Sequence, residues 1–540
     1  MPNTIDVLIL GAGAAGLAAA LSAHEAGAKV LVVDKADKLG GTAAISGGIV
    51  WMPQNVWMAD AGISDSRDDA IAYFEGLNHG DIDAERLAAF VDEGPAALSF
   101  LSSIGAYEPI LLDSYPDYYL TRDGAKPDGG RALDNAMFSF KELGDWADKI
   151  YDGGTTPRMM LKETPLGGAS GIIAPEIMAE REAGDMRAWG QALIGRMLKA
   201  CLERGITPQL NVTIDRLLVE GGQAMGAVID GETVTASKGV VLATGGFEWD
   251  KDLVLTFLRG PMPAPASPPG NTGDGLKLAM AAGAARGNMT SAWWMTSLEV
   301  PGDTWPELSG KSDAQRAVPV LLERTLPHTL MVNRAGRRFC NEAQNYSALA
   351  GAFQSFNPST YDYDNLPAYL IFDQNYRDKY PLAFLFPGMP TPNWIASAEA
   401  PEDLADKIGI DPQGLASTIG SFNGFAEAGA DEDFGRGDGE YDRFYGDRSR
   451  PGAAATLGAL DKPPYYAVEI KMGALGTNGG AKTDGETRVH AISGGIIKGL
   501  YAAGNVMAGA TGSVYAGAGG TLGPALTFGV IAGRSAAEGQ

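Results

Sequence analysis

The chain contains few cysteines and histidines, which restricts the kinds of site it can build. Its 540 residues include two cysteines, Cys201 and Cys340, and four histidines. Neither residue type shows the spacing of a metal-binding motif, so we expect no metal site. Two cysteines far apart in the sequence indicate reduced thiols, which fit a reducing cytoplasm.

Positive charge and long apolar runs are also scarce. The formal net charge is −24, with 42 basic residues against 66 acidic ones, and this balance argues against nucleic acid or an anionic membrane as a partner. No apolar run reaches the roughly 18 residues that a membrane-spanning helix needs. The N-terminal run Ile5–Leu10 leads straight into glycines, unlike a secretory signal. We therefore expect a cytoplasmic protein with no transmembrane segment.

Glycine, with 73 residues, is abundant and marks the ends of apolar runs. Near the N-terminus, Ile5–Leu10 predicts a buried strand, residues 11–16 have the pattern G-x-G-x-x-G, and Leu17–Ala26 predicts a helix. A second predicted strand, Lys29–Val33, leads into Asp34. This order is typical of dinucleotide binding, in which the pyrophosphate lies at the helix N-terminus and the acid binds ribose hydroxyls.

A second loop rich in glycine and hydroxyl residues, Lys38–Gly48, comes directly after the acid. A dehydrogenase that binds NAD does not need such a loop, whereas a flavin held in an extended form does, so we predict that the dinucleotide is FAD. Further along, Gly239–Gly246 predicts another buried strand that ends in glycine. Asp274, just before the helical run Leu276–Gly283, either caps that helix or contacts the polyol chain of the flavin.

The C-terminal end has a similar organisation. An apolar run reaches Asn505, a loop with five glycines covers residues 509–520, and a helical pattern starts at Pro524. Exposed backbone N–H groups at the start of a helix suit a ligand with anionic or carbonyl oxygens. We expect this loop, which carries Tyr515, to close over the flavin that the other end of the chain binds.

The length of the chain and a change in its character indicate two domains. One hydrophobic core stops growing at roughly 250–300 residues, and strand–helix alternation fades after residue 288, where aromatic residues and proline become frequent. We predict an α/β fold. A Rossmann-like FAD-binding domain, formed by residues 1–288 and 465–540, is interrupted by an α+β substrate domain, residues 289–464.

The predicted contacts with FAD follow from these loops and strand ends. Backbone N–H groups are expected to meet the pyrophosphate and the flavin, and acidic side chains to meet hydroxyl groups. The predicted cofactor-binding residues are Gly11, Gly13, Ala14, Ala15, Gly16, Asp34, Lys35, Gly41, Thr42, Ala43, Ser46, Gly47, Gly48, Ala243, Thr244, Gly245, Asn271, Asp274, Gly504, Asn505, Gly520 and Leu522.

Several segments resemble those of known flavoproteins. They are Gly40–Gly48 with Trp51–Asn55, Tyr115–Tyr119, Leu330–Phe339 with Asn341, Glu342 and Tyr346, and Tyr515–Pro524. On these segments the chain resembles the fumarate reductase–type flavoproteins, and among them the 3-ketosteroid Δ1-dehydrogenases, which remove two hydrogens beside a ring ketone. The resemblance spans nearly the whole chain. It implies non-covalent FAD, because Gly40–Gly48 lacks the histidine that succinate dehydrogenases use.

The resemblance also implies catalytic roles. Tyr515 O–H and Gly519 N–H would stabilise the ketone oxygen as an oxyanion hole. Tyr346 would take the α proton, with Tyr118, or its neighbour Tyr119, hydrogen-bonded to it; we favour Tyr118. FAD would take the β hydride. A tyrosine has an ordinary pKa near 10, so a tyrosine base needs a stabilised anion or a proton relay.

Two departures from the related families bear on the substrate. Fumarate reductases carry an arginine where this chain has Tyr346, and a histidine and an arginine in the C-terminal loop, whereas residues 509–523 here include no basic residue. A dicarboxylate needs paired cationic donors, so phenols indicate a neutral, apolar ketone. The segment Tyr515–Gly519 also lacks the prolines common in the steroid enzymes, so the substrate need not be a steroid.

The favoured hypothesis is an FAD-dependent enzyme that desaturates a cyclic ketone, first of all a 3-ketosteroid at its C1–C2 bond, and passes electrons to an unidentified acceptor. One alternative acts on smaller rings such as cyclohexanones, or introduces the Δ4 bond of ketosteroids. A second runs the reverse reaction as an enone or fumarate-type reductase. A third is a non-enzymatic flavin-binding redox carrier, which leaves the tyrosines unexplained.

Overall fold

A computed structural model of the chain describes residues 4–310 and 313–539. Its strands are β1 (Thr4–Leu10), β2 (Val30–Val33), β3 (Val50–Trp51), β4 (Pro109–Leu111), β5 (Ala132–Asn135), β6 (Phe138–Ser139), β7 (Met186–Arg187), β8 (Ile214–Glu220), β9 (Gln223–Ile229), β10 (Glu232–Leu242), β11 (Arg286–Gly287), β12 (Ala292–Thr304), β13 (Gln315–Pro319), β14 (Thr329–Val332), β15 (Phe356–Asn357), β16 (Asp362–Tyr363), β17 (Ala368–Asp373), β18 (Ala396–Ala398), β19 (Tyr465–Thr477), β20 (Gly480–Ala481), β21 (Arg488–His490) and β22 (Ile496–Ala502).

The helices are distributed along the described chain. They are α1 (Ala14–Glu25), α2 (Gly41–Ile45), α3 (Val56–Asp60), α4 (Arg67–Glu75), α5 (Ala84–Ser103), α6 (Pro175–Ala183), α7 (Trp189–Glu203), α8 (Lys251–Phe257), α9 (Asp274–Ala281), α10 (Ala350–Phe353), α11 (Gln374–Lys379), α12 (Pro401–Ile408), α13 (Pro412–Ala428), α14 (Glu440–Phe444) and α15 (Leu522–Glu538). Short 3-10 helices lie at Phe140–Lys149, Leu161–Glu163, Pro165–Gly167, Gly452–Ala455 and Gly504–Val506.

The first sheet has seven strands and brings the glycine loops to one edge. Its order is β2-β1-β10-β22-β9-β8, with β21 paired to β22. Strand β1 runs parallel to β2 and β10, and β10 runs parallel to β22. Val7–Leu10 are completely buried, which explains the continuous apolar run of a strand covered on both faces. Because parallel strands end at the same edge, the loops after β1, β10 and β22 meet there.

The last helix of the described chain packs closely on the first. A Cβ atom added to Gly529 or Gly533 of α15 would lie 2.6 Å from the carbonyl oxygen of Ala15 or 2.2 Å from that of Ala19, both in α1. Only glycine permits this approach of the two backbones. The contact fixes the C-terminal loop beside the N-terminal glycine turn.

The second sheet is antiparallel and belongs to the part of the chain that the sequence analysis assigned to a substrate domain. Its order is β13-β12-β19-β17-β14, with β18 paired to β19. The sequence analysis placed Tyr465–Thr477 with the FAD-binding domain. In the structure this segment is β19, the central strand of the second sheet. The strands with which a long strand pairs depend on register and tertiary packing, so the sequence of β19 alone does not predict its partners β12 and β17.

A buried ionic cluster supports the segment that leads to Tyr346. The guanidinium of Arg338 donates two hydrogen bonds of 2.8 Å to Glu342 and two of 2.8 Å to Asp431. Arg436 donates to Glu342 at 3.2 Å. These side chains are 2% exposed or less, so the charges depend on each other for compensation. The short helix α14 lies close to this cluster, in a stretch rich in glycine and aspartate, residues 428–447.

The structure also bears on partners and cofactors. Within residues 4–310 and 313–539, no helix is long and apolar enough to cross a membrane, and no group of three acidic, histidine or cysteine side chains is placed to hold a metal ion. Cys201 and Cys340 are free and buried, and burial raises the pKa of the Cys201 thiol to about 12.

Replacing Arg338 by Met is expected to destabilise the protein, because two carboxylates would remain buried without their main partner. The expected loss in the free energy of unfolding is about 3–5 kcal/mol. Arg334→Met is the matched control, since Arg334 pairs with Asp362 at a site where both side chains are 50% exposed, and it should cost less than about 1 kcal/mol. Urea unfolding followed by tryptophan fluorescence tests this, and equal midpoints for the two variants would contradict it.

Candidate active site

The first glycine turn folds as a cradle for a dinucleotide. Gly11 has φ +111°, and a Cβ atom there would lie 2.3 Å from the carbonyl oxygen of Ala243. A Cβ atom at Gly16 would lie 1.9 Å from the carbonyl oxygen of Gly11. Glycine at this position therefore lets the helix pack on the turn. No side chain caps the N-terminus of α1, so its first N–H groups are available to an anionic ligand.

Asp34 is held firmly at the end of β2. Its Oδ2 accepts a hydrogen bond of 2.7 Å from Ala12 N–H, and its Oδ1 accepts one of 2.9 Å from Ala36 N–H. Burial raises the pKa of the carboxyl, and these two N–H groups act in the opposite direction. Each oxygen keeps a lone pair, which suits the expected bond to a ribose hydroxyl.

The second glycine loop is joined to the first. Gly40 N–H donates to the carbonyl oxygen of Ala12 at 3.0 Å. Just beyond it, the amide nitrogen of Asn271 lies 2.8 Å from Thr42 Oγ1 and 2.7 Å from Glu248 Oε1. A carboxylate only accepts, so Glu248 fixes the orientation of the Asn271 amide, and Thr42 has its own O–H left to donate. The sequence analysis missed Glu248, which has no motif and is recognised only by its burial.

The structure does not use Asp274 as a helix cap. The N-cap of α9 is Gly273, which has no side chain, and Asp274 is the first helical residue. The Asp274 carboxylate instead accepts a hydrogen bond of 2.5 Å from Lys35 Nζ, which also donates to Thr272. Asp274 therefore does not cap α9, and its contact with the cofactor stays a prediction.

A single cavity of about 1350 Å³ contains most of the predicted cofactor-binding residues. Those that line it are Gly11, Gly13, Ala14, Ala15, Asp34, Lys35, Gly41, Thr42, Ala43, Ser46, Gly47, Gly48, Ala243, Thr244, Gly245, Asn271, Asp274, Gly504, Asn505 and Leu522. Gly16 and Gly520 do not line the cavity. The volume exceeds the roughly 300–1,000 Å³ of a pocket for one small ligand, which leaves room for a dinucleotide and a substrate.

These residues fit FAD. The cavity runs from the uncapped helix α1 and the carboxylate of Asp34 to the C-terminal loop. The hydroxyl of Thr244 is buried in its wall and has no hydrogen-bond partner among the described residues, as expected for a group that a bound cofactor satisfies.

Three of the predicted catalytic tyrosines meet at the far end of this cavity. The ring of Tyr515 lies 5.3 Å from that of Tyr346 and is stacked 5.7 Å from that of Tyr118, centroid to centroid. The Tyr118 hydroxyl donates a hydrogen bond of 3.1 Å to the Tyr346 hydroxyl. All three side chains are 5% exposed or less. The phenols therefore face one another and the cavity rather than bulk solvent.

Backbone contacts between distant segments hold these tyrosines. Tyr118 N–H donates to the carbonyl oxygen of Ala516 at 3.0 Å, in the loop of Tyr515, and the Tyr73 hydroxyl donates to the same oxygen at 2.7 Å. The segment before Tyr346 is fastened by Arg324, which donates to the carbonyl oxygens of Glu342 and Gln344. Residues more than 200 positions apart thus share one rigid frame.

Gly519 is placed for the expected oxyanion hole. Its φ is +93°, and a Cβ atom there would lie 2.4 Å from the carbonyl oxygen of Ile49, so only glycine fits. Burial raises the pKa of Tyr515, and hydrogen bonds from Tyr346, Thr521 and the Gly519 N–H reduce the rise. The two predicted donors, Tyr515 O–H and Gly519 N–H, are therefore neighbours.

Tyr119 packs beside the tyrosine cluster but does not line the cavity. Its backbone N–H donates to the Tyr73 hydroxyl at 3.1 Å, and its side chain does not line the cavity. Tyr118 lines the cavity, so the structure distinguishes the two adjacent tyrosines between which the sequence did not decide.

Three further tyrosines adjoin the site, and the sequence analysis gave them no role. Tyr115 and Tyr445 line the cavity and are hydrogen-bonded to each other through their hydroxyls. Tyr441 packs on Tyr118 with ring centroids 5.1 Å apart. The four-residue spacing of Tyr441 and Tyr445 within a Gly/Asp-rich stretch was the available signal, since it places both on one side of a helical turn.

Burial keeps the site neutral. It raises the pKa of Tyr346 and of Tyr118 well above the ordinary value of 10. The hydrogen bond from Tyr118 acts in the opposite direction on Tyr346. A ground state with protonated phenols supplies hydrogen-bond donors to a carbonyl oxygen without a fixed charge.

Comparisons with known proteins agree with this geometry. Residues 6–522 match the FAD binding domain family. The chain is 39% identical over 545 residues to the 4-oxocyclohexanecarboxylate 2-dehydrogenase of Sinomonas cyclohexanicum, covering 99% of this chain and 93% of that one. It is 35% identical to the 3-oxosteroid 1-dehydrogenase of Mycobacterium tuberculosis, covering 98% and 97%.

A solved structure shows the same fold. The 3-ketosteroid Δ1-dehydrogenase of Sterolibacterium denitrificans, in complex with 1,4-androstadiene-3,17-dione, superimposes with a TM-score of 0.90 at 35% identity, covering 100% of both chains. The fold and the site thus define an FAD-dependent oxidoreductase. The chain belongs to the FAD binding domain family, and its relatives include 3-oxosteroid 1-dehydrogenases.

Gly13→Ala is expected to weaken FAD binding without affecting the fold. A Cβ atom at Gly13 would meet only the carbonyl oxygen of Gly40, at 3.9 Å, but it would occupy the space through which the pyrophosphate approaches the backbone. We expect the affinity for FAD to fall roughly tenfold or more, with the Tm of the apoprotein unchanged. Fluorescence titration of the apoprotein measures this. Gly420→Ala, in open space on α13, is the control, and equal affinities for the two variants would contradict the prediction.

Proposed function

We propose that the protein removes two hydrogens from adjacent carbons beside the carbonyl group of a cyclic ketone, and that the preferred substrate is a 3-ketosteroid at its C1–C2 bond. The observation that carries this proposal is the group of buried phenols, Tyr118, Tyr346 and Tyr515, at the end of the FAD cavity. Loss of an α proton requires that the carbonyl oxygen be stabilised as an enolate. Neutral hydrogen-bond donors that are buried away from bulk solvent can stabilise that oxygen.

Each residue has a proposed role. Tyr515 O–H and Gly519 N–H hold the ketone oxygen and stabilise the negative charge that develops on it. The phenolate form of Tyr346, which the hydrogen bond donated by Tyr118 stabilises, takes the α proton and becomes the neutral phenol. FAD, when bound, accepts the β hydrogen with its electron pair. Gly47, Gly48 and Ile49 line the same cavity and help to exclude water from the reacting carbons.

The substrate need not be large. A carboxylated cyclohexanone is the second candidate, because the 39% identical relative is a 4-oxocyclohexanecarboxylate dehydrogenase. The C-terminal loop without basic residues supports a ketone over fumarate in either case.

We further propose that FAD is bound non-covalently in a cytoplasmic protein. The proposed domains are a first one of residues 1–288 and 478–540 and an inserted one that ends after β19, at residue 477.

Anaerobic reduction of the flavin tests the reaction directly. Androst-4-ene-3,17-dione, cyclohexanone and 4-oxocyclohexanecarboxylate are added separately to the yellow protein, and the flavin absorbance is followed together with product analysis. Bleaching with formation of the 1,4-diene supports the steroid. Bleaching with a monocyclic ketone alone supports the desaturation of a ketone and indicates that the substrate has a single ring. No bleaching with any ketone contradicts the proposal.

Tyr515→Phe is expected to slow flavin reduction by roughly 10²–10³-fold, the usual effect of losing one oxyanion-hole donor. The ring and its packing on Tyr118 and Trp293 are kept, so the folded structure should not change. Tyr107→Phe is the control, because its hydroxyl is buried outside the site and has no hydrogen-bond partner among the described residues. Stopped-flow absorbance measures both. A Tyr515→Phe protein as fast as this control would remove Tyr515 from the mechanism.

A further inference from the structure

Trp51, in β3, is bonded to two distant segments of the site. Its backbone N–H donates to the carbonyl oxygen of Gly519 at 3.2 Å, and its indole Nε1–H donates to the carboxylate of Asp117 at 2.8 Å. A Cβ atom at Gly517 would lie 2.4 Å from the indole Nε1, so the C-terminal loop lies directly on the ring. Asp117 immediately precedes Tyr118. Trp51 therefore joins the loop of the oxyanion donors to the segment of Tyr118.

The carboxylate of Asp117 is buried and accepts hydrogen bonds from three parts of the chain. Its Oδ1 accepts from the indole of Trp51, and its Oδ2 accepts from Arg131 Nη1 at 2.8 Å and from the N–H of Lys126 at 2.9 Å. Asp117 is 2% exposed. Water cannot replace an acceptor buried this deeply, so the carboxylate keeps the three donors in a fixed arrangement.

A second bridge connects the same two segments through the hydroxyl of Tyr73. This hydroxyl donates to the carbonyl oxygen of Ala516 at 2.7 Å and accepts from the N–H of Tyr119 at 3.1 Å. The guanidinium of Arg131 lies 5.7 Å from the ring centroid of Tyr73 and 5.5 Å from that of Trp51. The arginine that binds Asp117 thus also packs on the rings that form both bridges.

The proposed reaction depends on the separation of these segments. The α carbon and the carbonyl oxygen of a ketone are two bonds apart, so the groups that act on them must keep a fixed distance from each other. Tyr118 holds the proposed base Tyr346 by a hydrogen bond, whereas Tyr515 and Gly519 belong to the C-terminal loop. Misplacement of a reacting group by about 1 Å can slow a reaction about 10²-fold.

We propose that Asp117 and Tyr73 are positioning residues for the reaction. Together they hold Tyr118 at a fixed distance from the loop of Tyr515 and Gly519. Neither Asp117 nor Tyr73 lines the cavity, so neither contacts the substrate or takes its proton. Loss of either bridge leaves the reacting groups present but misplaced, and the ketone then binds normally and reacts slowly. This inference rests on the proposed desaturation of a ketone.

Asp117→Asn tests the first bridge, because an amide of the same shape turns an N–H₂ group towards N–H donors. We expect the rate of anaerobic flavin reduction at saturating ketone to fall by about tenfold or more. The half-saturating ketone concentration and the affinity for FAD should stay as in the wild type. Stopped-flow absorbance, with the ketone that reduces the wild type, and fluorescence titration of the apoprotein with FAD measure these quantities.

Asp65→Asn is the matched control. Asp65 accepts two hydrogen bonds from the same Arg131, at 2.8 and 2.7 Å, and its side chain is 1% exposed. Among the described residues, Asp65 has no hydrogen bond to Trp51 or to the segment of Tyr118. Each variant leaves the arginine with one carboxylate, so a merely structural role predicts equal losses of Tm and of rate. A positioning role predicts that Asp117→Asn alone is slow at saturating ketone.

Equal saturating rates for the two variants overturn the inference. So does an Asp117→Asn protein that is slow only because it binds the ketone or FAD more weakly. Should Asp117→Asn not fold, Tyr73→Phe decides by the same readouts, with Tyr107→Phe as its control. A wild-type protein that no ketone reduces overturns the proposed function and this inference with it, whereas failure of the positioning role alone leaves reduction of the wild type intact.

Discussion

The packing of α15 on α1 at Gly529 and Gly533 is the contact on which the rest of the site depends. It allows two helix backbones from opposite ends of the chain to touch, since neither position has a side chain to separate them. The N-terminal helix carries the uncapped N–H groups of the glycine turn, and the C-terminal helix follows the loop of Tyr515 and Gly519. Their contact places the N-terminal glycine turn and the loop of Tyr515 and Gly519 on one cavity.

The chemistry of that cavity depends on burying hydroxyls instead of charges. An isolated ion is expensive to remove from water, whereas a phenol that is hydrogen-bonded to another phenol is not. Burial keeps the phenols of Tyr346 and Tyr118 neutral by raising the pKa of each. The site therefore offers neutral donors for a developing oxyanion.

The second sheet supports the segment that carries Tyr346. Its edge leads into the segment that Arg324 and the Arg338–Glu342–Asp431 cluster fasten, and Tyr346 follows directly. Charges that are costly to bury are tolerated there because each is compensated by hydrogen bonds in fixed geometry. Tyr346, at the end of such a segment, has little freedom to leave its partner Tyr118.

The sequence by itself determined the features that local chemistry controls. The strand, glycine turn, helix and acid at residues 5–34 were predicted because glycine conformation and apolar periodicity act over a few residues. The absence of basic residues in the C-terminal loop argues against a dicarboxylate on local chemistry as well. Tertiary structure decided the rest. Tyr118 and not Tyr119 faces the cavity, β19 joins the second sheet, and Tyr445 meets Tyr115 across 330 positions. These outcomes depend on register and long-range packing, which no short stretch of sequence encodes.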